Sequence, residues 1–279
     1  MGLFSNHMHS IHVSHHKDTA DCESIVIPVP ETVYISMSQH IGRPCQPLVQ
    51  KGDYVKVGQL IGDVSAPVSA PIHASVSGEV TAIEEMRSAL GSTDTFVVIK
   101  SDGRQEPWEG LKIPRCDTKD DFIRAVRDCG LVGLGGASFP THVKFNPDNL
   151  DQCDTLIVNG AECEPFITSD HRNMLEHTDD IISGIRLTMK YLGLTKCYVG
   201  IENNKPDAIA KMREALKDIS QAEVVELRST YPQGAERVLI HETAGKTLKA
   251  GQLPASVGCI LSNVTTIMTL GEYFRTGMP

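Results

Sequence analysis

Residues 129–144 read CGLVGLGGASFPTHVK, with four glycines between positions 130 and 136. Glycine lets backbone N–H groups turn toward an anion and lets that anion approach closely. Pro140 is compatible with the first turn of a helix, whose N-terminus would favour a phosphate, and Lys144 could reach the same anion. The stretch therefore predicts a phosphate cradle for a nucleotide or flavin, with a mobile surface loop as the alternative interpretation.

The residues that precede the glycines exclude two common phosphate-binding motifs. A Rossmann fingerprint follows a strand, but the apolar residues at 122, 123 and 126 have helical spacing, with Thr118 suited to cap the helix. The stretch also lacks the Gly-Lys-Ser/Thr ending of a P-loop. A simple NAD fingerprint and a Walker ATPase are both disfavoured.

Composition limits the class of protein. A chain of 279 residues accommodates one large domain or two smaller ones. The net charge of −9, without a long basic run, argues against nucleic acid as a partner. No run of 18 apolar residues and no apolar leader occur, so we expect neither a transmembrane segment nor secretion. The eight cysteines include no Cys-x-x-Cys pair, which favours a reducing compartment.

Five histidines crowd the first sixteen residues, at positions 7, 9, 12, 15 and 16. A metal-binding tract is one interpretation. The favoured interpretation is a disordered, His-rich N-terminal tail over residues 1–24.

Beyond the tail, the pattern predicts two domains. Short β-like runs interrupted by Gly and Pro, beginning with Ile25-Val26-Ile27, predict a small β barrel or sandwich over 25–117. Strands alternating with helices, including one helix over 171–192, predict a mostly parallel α/β domain over 118–279.

Polar residues follow the predicted strands of the second domain. The strand at 155–158 runs into Asn159, Glu162 and Glu164, and later strands lead to polar runs at 202–204, 231–237 and 262–263. Ligands of parallel sheets bind at the carboxyl ends of strands, so we expect a binding site there, with a solvated acidic loop as the alternative. Cys163 is not expected to be a nucleophile, because neighbouring negative charge disfavours its thiolate.

Residues 49–80 resemble the barrel-sandwich hybrid of biotinyl and lipoyl domains, through the pattern V-x-x-G-D-x-V-x-x-G-Q-x-I-G followed by A-P-I-x-A-x-V-S-G-x-V. Those domains carry a modified lysine at a hairpin tip, which corresponds to residues 64–70 here. No lysine occurs at 64–70, so the resemblance implies the fold without the swinging cofactor. A biotin or lipoyl carrier is therefore discounted.

Four motifs in order resemble RnfC, the peripheral subunit of the Rnf ion-translocating electron-transport complex, and more distantly the flavin subunit of respiratory complex I. They are GLVGLGGASFPTHVK, LIVNGAECEPFITSDHR, GIENNKPDAI and YPQGAERVL. The resemblance implies a barrel-sandwich domain followed by a Rossmann-like, complex I flavin-subunit-type α/β domain. It also implies a peripheral position on the cytoplasmic face of the membrane, with other Rnf subunits as partners and ferredoxin served indirectly.

The same resemblance implies non-covalent FMN and oxidation of NADH, by hydride transfer to flavin N5, with electrons passed to [4Fe-4S] clusters. Asn159 and Glu162 would contact the flavin, and Glu164 would face the nicotinamide. No catalytic acid or base is implied. The cofactor-binding residues carried over by position are Gly133, Gly135, Gly136, Lys144, Asn159, Glu162, Glu164, Gly234, Glu236 and Asn263.

Two departures from the family pattern matter. Ser138 stands where the usual motif has a second glycine, and its side chain could crowd the cradle or donate a hydrogen bond to the ligand. The family also continues into β-grasp and ferredoxin-like segments with two clusters, so we expect a truncated chain without the onward electron path. The alternatives are a non-catalytic docking scaffold and a related flavin-dependent corrinoid reductase.

Overall fold

The computed structural model describes residues 10–87 and 91–279, which form two compact units. The first, which we call the barrel unit, comprises Ile25–Asn146 and Glu272–Pro279. The second, the α/β unit, comprises Pro147–Gly271 and the described residues up to Ser24. The glycine-rich stretch thus groups with the barrel unit, whereas the predicted boundary at 117/118 assigns it to the second domain.

The barrel unit contains two antiparallel sheets, which is the β-rich architecture that the sequence predicts. The four-stranded sheet has the order β1-β7-β6-β3 and the three-stranded sheet the order β2-β4-β5. The bounds are β1 (Thr32–Ser36), β2 (Gln46–Pro47), β3 (Tyr54–Val55), β4 (Leu60–Asp63), β5 (Ile72–His73), β6 (Gly78–Arg87), β7 (Thr93–Ser101), α1 (Lys119–Asp128) and α2 (Thr141–Lys144).

Apolar side chains from both sheets share one core. Val97 and Ile99 of β7 and Ile61 of β4 are fully buried in it. Alternate residues of a strand point to the same face, so one face of β7 supplies the core. The predicted first β run at 25–27 is wrong: those residues lie outside any strand, and Val26 is 99% exposed.

The α/β unit has one sheet in which all neighbouring strands are parallel. Its strands alternate with helices, as predicted from the hydrophobic pattern. The bounds are β8 (Thr155–Gly160), α3 (Ser169–Glu176), α4 (Thr178–Leu192), β9 (Lys196–Glu202), α5 (Pro206–Leu216), β10 (Ala222–Leu227), α6 (Glu236–Ala244), β11 (Cys259–Asn263) and α7 (Val264–Thr276), the last belonging to this unit as far as Gly271.

The strand order creates a switch point between β8 and β11. The order is β10-β9-β8-β11, so the chain steps outward from β8 to β10 and then returns to the other side of β8. Asn159 at the end of β8 pairs in register with Asn263 at the end of β11. Open parallel sheets bind ligands at the carboxyl ends of strands beside such a point.

The apolar spacing over 171–192 predicts one helix, but the chain forms two, α3 and α4. His177 separates them with φ −123° and ψ 33°, outside the helical region. Acidic residues occupy the first turn of α4 and stabilise a new helix N-terminus there. Both helices bury apolar residues, so the apolar spacing continues across the break and hides it.

Residues 10–24, which we call the N-terminal segment, pack on the α/β unit instead of forming the disordered tail expected from the sequence. Ile11 and Tyr231 exchange two backbone hydrogen bonds of 2.9 and 2.8 Å. The hydroxyls of Thr19 and Thr168 lie 2.6 Å apart. The segment is therefore attached to two separate loops of the unit.

Two further sequence expectations, on a metal-binding histidine tract and on a transmembrane segment, can be compared with the described residues only. His7 and His9 lie outside residues 10–87 and 91–279, and within those ranges no group of three His, Cys, Asp or Glu side chains could hold a metal ion. No helix in the same ranges is long and apolar enough to cross a membrane.

Helices α4 and α7 approach each other backbone to backbone at two glycines. A Cβ atom added to Gly184 would lie 2.1 Å from the carbonyl oxygen of Ile267, and one added to Gly271 would lie 1.9 Å from that of Asp180. Such distances are far below van der Waals contact. The close packing of the two helices therefore requires glycine at both positions.

Gly184→Ala is expected to lower the free energy of unfolding by roughly 2 kcal/mol, because the added methyl group must push the helices apart. Urea denaturation followed by circular dichroism measures the change. Ser183→Ala, at the adjacent position of the same helix, is the control and is expected to change stability by less than about 0.5 kcal/mol. Equal midpoints for the two variants would contradict the close approach.

Candidate functional site

The glycine-rich stretch forms an open loop in the barrel unit. Its base is closed by hydrogen bonds from Gly133 N to Phe139 O (2.9 Å) and from Thr141 N to Leu131 O (3.0 Å). Residues 134–137 between these bonds are exposed. The loop therefore presents backbone amides to solvent from a fixed base, as a phosphate cradle requires.

Space around the loop fits a bulky anion. A Cβ added to Gly136 would meet nothing within 4 Å, and one added to Gly133 would have its nearest neighbour at 3.7 Å. Gly130 differs, because it has φ +69° and an added Cβ would lie 2.4 Å from the carbonyl oxygen of Pro71. Gly130 therefore lets the loop pack closely on the rest of the barrel unit, whereas Gly133 and Gly136 leave space beside the loop.

The helix after the loop is much shorter than the sequence suggests. Helix α2 has four residues, and Pro140 precedes it as the N-cap. A single turn carries little macrodipole, so the helix N-terminus contributes little to anion binding here, and the phosphate site itself stays a prediction. Anion binding at this loop would depend on its backbone amides and on Lys144, which lies in the last turn of α2.

Ser138 explains why the family pattern has glycine at this position. Its φ is +52°, in the left-handed region that glycine adopts without strain. Its carbonyl oxygen accepts a hydrogen bond from Ile41 N at 3.2 Å, which fixes this end of the loop within the barrel unit.

In the α/β unit, the two asparagines of the switch point each bind neighbouring loops. Asn159 Nδ2 donates to the carbonyl oxygen of Gly234 at 3.0 Å, and Asn159 Oδ1 accepts from Ala161 N at 3.1 Å. Asn263 Oδ1 accepts from Thr265 N at 2.8 Å, at the start of α7. The structure thus brings together Asn159 and Gly234, as well as the ends of β8 and β11.

Glu162 is a buried carboxyl of this unit with a strongly shifted pKa. It is 5% exposed and has φ +52°. Its Oε1 accepts from Asp170 N at 2.6 Å, while its Oε2 has no hydrogen-bond partner among the described residues. Burial, followed by the negative charge of Asp170, raises the pKa of Glu162 to about 7. Near neutral pH this carboxyl can therefore donate or accept a hydrogen bond.

The other predicted carboxylates are accessible. Glu164 and Glu236 are both exposed, the second in the first turn of α6. Cys163 between the two loop glutamates is buried, and burial, reinforced by Glu164, raises the pKa of its thiol. The expectation that Cys163 is not an activated nucleophile agrees with this shift.

Lys205 is a residue of this site that the sequence pattern does not reveal. It is 2% exposed, and its Nζ donates to the carbonyl oxygen of Ala161 at 2.7 Å, to Glu202 Oε2 at 3.2 Å and to Asn204 Oδ1 at 3.0 Å. Burial raises the pKa of Glu202, which is fully buried, and the charge of Lys205 opposes that shift. The polar residues at 202–204 indicated a site at this strand end. Lys205 follows them and looks, from the sequence, like an ordinary residue at the start of a helix.

Gln233 was also missed as a site residue. It is 4% exposed, and its Oε1 accepts from Thr230 Oγ1 at 3.1 Å. Within residues 10–87 and 91–279, its Nε2 has no hydrogen-bond partner, and the same is true of Glu202 Oε1. Buried polar atoms are nearly always paired in folded proteins. Together with Glu162 Oε2, these atoms fit a unit that a polar ligand completes.

Models of known protein families match both domains of the chain. Residues 6–104 match the RnfC barrel sandwich hybrid domain, and residues 126–272 match the Nuo51 FMN-binding domain. The NAD⁺-reducing [NiFe]-hydrogenase in the H₂-reduced state has a similar structure, with a TM-score of 0.51 and 22% identity over 56% of this chain and 31% of that one. At this identity the likeness shows the fold alone.

Curated relatives share more of the sequence. The C subunit of the proton-translocating ferredoxin:NAD(+) oxidoreductase complex of Clostridium ljungdahlii is 42% identical over 94% of this chain and 58% of its own length. The C subunit of the Na(+)-translocating complex of Acetobacterium woodii is 42% identical over 90% of this chain and 57% of its own. The C subunit of the ion-translocating oxidoreductase complex of Rhodobacter capsulatus is 35% identical over 96% and 53%.

This chain spans somewhat more than half the length of these relatives. Its barrel-sandwich sheets, its parallel sheet with a switch point and the matches to both domain families agree with one another. The chain belongs to the RnfC family, with an RnfC barrel-sandwich hybrid domain followed by an FMN-binding domain of the Nuo51 type.

Proposed function

We propose that this chain is the FMN-binding, NADH-oxidising part of a membrane-associated electron-transport complex of the NADH:ferredoxin oxidoreductase type. The observation that carries the proposal is the set of buried polar atoms on Glu162, Glu202 and Gln233 that have no hydrogen-bond partner among the described residues, in a domain of the FMN-binding family. Such atoms cost free energy unless a ligand pairs with them.

The two units have separate roles in this proposal. In the barrel unit, the open loop at Gly133, Gly135 and Gly136 binds a phosphate group, with the amides of Gly135 and Gly136 as donors and Lys144 as a point charge. The glycines leave the space that a phosphate needs, since an added Cβ at Gly136 meets nothing within 4 Å.

In the α/β unit, Asn159, Glu162 and Glu164 bind the flavin and the nicotinamide of NADH. Asn159 retains one donor and one acceptor valence beyond its bonds within the protein. Gly234 and Glu236 on one side and Asn263 on the other border the same strand ends. FMN, when bound, supplies the redox chemistry by accepting hydride from NADH at N5, and the protein positions both partners.

The partners and the location belong to the proposal as well. The relatives named as C subunits of ferredoxin:NAD(+) oxidoreductase complexes support other Rnf subunits as partners and ferredoxin as an indirect one. They also support a peripheral position at the cytoplasmic face of the membrane. We further propose that [4Fe-4S] clusters of the complex accept the electrons next.

A docking scaffold without a flavin is the second candidate. Retention of the buried polar set at the strand ends argues against it, because a scaffold would gain stability from apolar residues there. A corrinoid reductase of the same superfamily is disfavoured by the barrel-sandwich domain at residues 6–104. FMN binding by the purified chain separates the scaffold from the enzyme.

FMN titration of the wild-type chain is expected to give saturable quenching of flavin fluorescence. Lys144→Ala is expected to weaken FMN binding about 10-fold to 100-fold, because a charged contact to phosphate contributes about 1.5–3 kcal/mol. Lys51→Ala, on a turn of the barrel unit, is the control and should bind like the wild type. No FMN binding by the wild type would favour the scaffold.

NADH added to the FMN-loaded chain is expected to bleach the flavin absorbance. Glu164→Ala is expected to raise the NADH concentration needed for half-maximal bleaching by about 10-fold, with FMN affinity unchanged, because Glu164 faces only the nicotinamide in this proposal. Glu223→Ala, at the opposite end of the sheet in β10, is the matched control. Equal half-maximal concentrations in Glu164→Ala and wild type would refute the role of Glu164.

The pKa of Glu162 predicts how stability depends on pH. The folded-state pKa of about 7 lies above the ordinary 4.5, so between these values the folded chain holds a proton that the unfolded chain has released. Stability conferred by this group is therefore lost as pH rises from about 4.5 to about 7, by up to about 3 kcal/mol.

Glu162→Gln is expected to abolish this dependence, because the amide does not titrate. Urea denaturation of the two chains across that pH range measures the difference between their free energies of unfolding. Glu223→Gln serves as the control for removal of an exposed carboxyl. Parallel curves for the wild type and Glu162→Gln would contradict the raised pKa.

A further inference from the structure

Lys17 of the N-terminal segment reaches the turn at residues 162–167, which follows β8. Its Nζ donates to the carbonyl oxygens of Glu162 at 2.8 Å, of Glu164 at 2.9 Å and of Ile167. An ammonium group has three N–H donors, and all three are therefore directed at a single turn. The Lys17 side chain is 14% exposed, and its bond to the carbonyl oxygen of Glu162 is partly buried, whereas the other two lie at the surface.

The turn has a conformation that needs outside support. Glu162 has φ +52° and Phe166 has φ +70°, and both are L residues in the left-handed region. This backbone conformation is strained for any residue with a side chain. Three carbonyl oxygens of the turn also converge on one point, where their partial negative charges repel unless a cation lies between them. Lys17 supplies that cation.

Other contacts hold Lys17 in place. His15, two residues earlier, accepts a backbone hydrogen bond from Phe166 N at 2.9 Å. The ring of His16 stacks on that of Phe166, with centroids 5.0 Å apart and an interplanar angle of 11°. Thr19 contacts Thr168 on the far side of the turn. The N-terminal segment thus follows the turn along its length, with Lys17 at the centre.

We propose that Lys17 is a positioning residue, whose ammonium fixes the 162–167 turn and thereby the direction of the Glu162 and Glu164 side chains. A role in cofactor binding rests on the proposed function, because those glutamates are its proposed flavin and nicotinamide contacts. The hold on the turn itself is independent of any ligand.

The charge of Lys17 affects a measurable quantity, the pKa of Glu162, that a purely structural contact would not change. Glu162 faces Asp170 of α3, Lys205 at the end of β9, and Lys17, whose Nζ lies 3.9 Å from Glu162 Oε2. Glu202 pairs with Lys205, and His15 lies near both lysines and has its pKa lowered by burial and by those charges. Lys17 favours the ionised form of Glu162, so its removal should raise the pKa of that carboxyl.

The test compares Lys17→Met, Lys17→Arg and the control Asp18→Asn, an exposed charge at the next position of the same segment. ¹³C NMR titration of the glutamate carboxyls without FMN follows Glu162, whose signal is assigned by its loss in Glu162→Gln. Lys17→Met is expected to raise the apparent pKa of Glu162 by about one unit. Lys17→Arg should largely restore it, and Asp18→Asn should leave it unchanged.

Amide hydrogen exchange of the same FMN-free chains tests the hold on the turn. Lys17→Met is expected to speed exchange at least 10-fold in the peptide covering 162–168, but not in β9 or β10. Faster exchange throughout the α/β unit would indicate a general loss of stability and would overturn the assigned role. An unchanged Glu162 titration together with unchanged exchange at the turn would overturn it as well.

FMN and NADH then separate the two proposals. If the wild type binds FMN, Lys17→Met is expected to weaken the binding of FMN and of NADH about 10-fold. Equal affinities in Lys17→Met and wild type would overturn the role of Lys17 in cofactor binding. A wild-type chain that binds no FMN would count against the proposed function alone, because the titration and the exchange measurements still decide whether Lys17 fixes the turn.

Discussion

The buried ammonium group of Lys205 joins the ends of two neighbouring strands of the α/β unit. It binds the carbonyl oxygen of Ala161 beyond β8 and the carboxylate of Glu202 at the end of β9. Burying a charge pair costs several kcal/mol per ion, which good geometry only partly offsets. A pair of apolar residues would often be as stable, so we infer that the ion pair is retained for the geometry it imposes. That geometry leaves one oxygen of Glu202 unpaired, among the described residues, beside the strand ends.

The asparagines of the switch point also combine a structural role with the capacity to bind a ligand. Asn159 ties the end of β8 to the loop at Gly234, and Asn263 ties the end of β11 to Asp170 of α3 and to the first turn of α7, yet an amide group has more hydrogen-bonding valences than these bonds consume. The same side chains can therefore hold the backbone and still meet a ligand. This explains why the sequence puts asparagine, rather than an apolar residue, at paired positions of β8 and β11.

Much of this arrangement could be predicted from the sequence, because it depends on local pattern. Alternating apolar runs gave the order of strands and helices, and the polar residues after each run marked the strand ends. The glycines at 133–136 were recognisable as a loop. The switch point could be identified only from the strand order, because no local sequence pattern indicates that β11 lies next to β8.

The residues that were missed depend on distant contacts. Lys17 and Glu162 are 145 positions apart, and nothing near Lys17 in the sequence indicates a packed segment. The histidines around it favoured a disordered tail. Helix α2 begins after Pro140, as the proline and threonine indicated, but it ends at Lys144, shortly before Pro147, which disfavours a helical conformation at the residue that precedes it. His177 was hidden because both flanking helices bury apolar residues at compatible spacing.

The charges at the strand ends explain why Glu162 is the carboxyl that holds a proton near neutral pH. Three carboxyls (Glu162, Asp170 and Glu202) and two ammonium groups (Lys17 and Lys205) lie there largely removed from water. Burial favours overall neutrality, which requires one proton on one carboxyl.

Asp170 accepts two hydrogen bonds from side chains, and Glu202 is bonded directly to Lys205, and these contacts oppose the rise that burial causes in the pKa of both carboxyls. Glu162 accepts a backbone hydrogen bond from Asp170 N, its ion pair with Lys17 is 3.9 Å long, and its Oε2 has no hydrogen bond among the described residues. Its pKa of about 7 lets this carboxyl hold the proton near neutral pH. With a proton there, the three carboxyls and the two ammonium groups form a cluster without net charge, instead of one with a net negative charge.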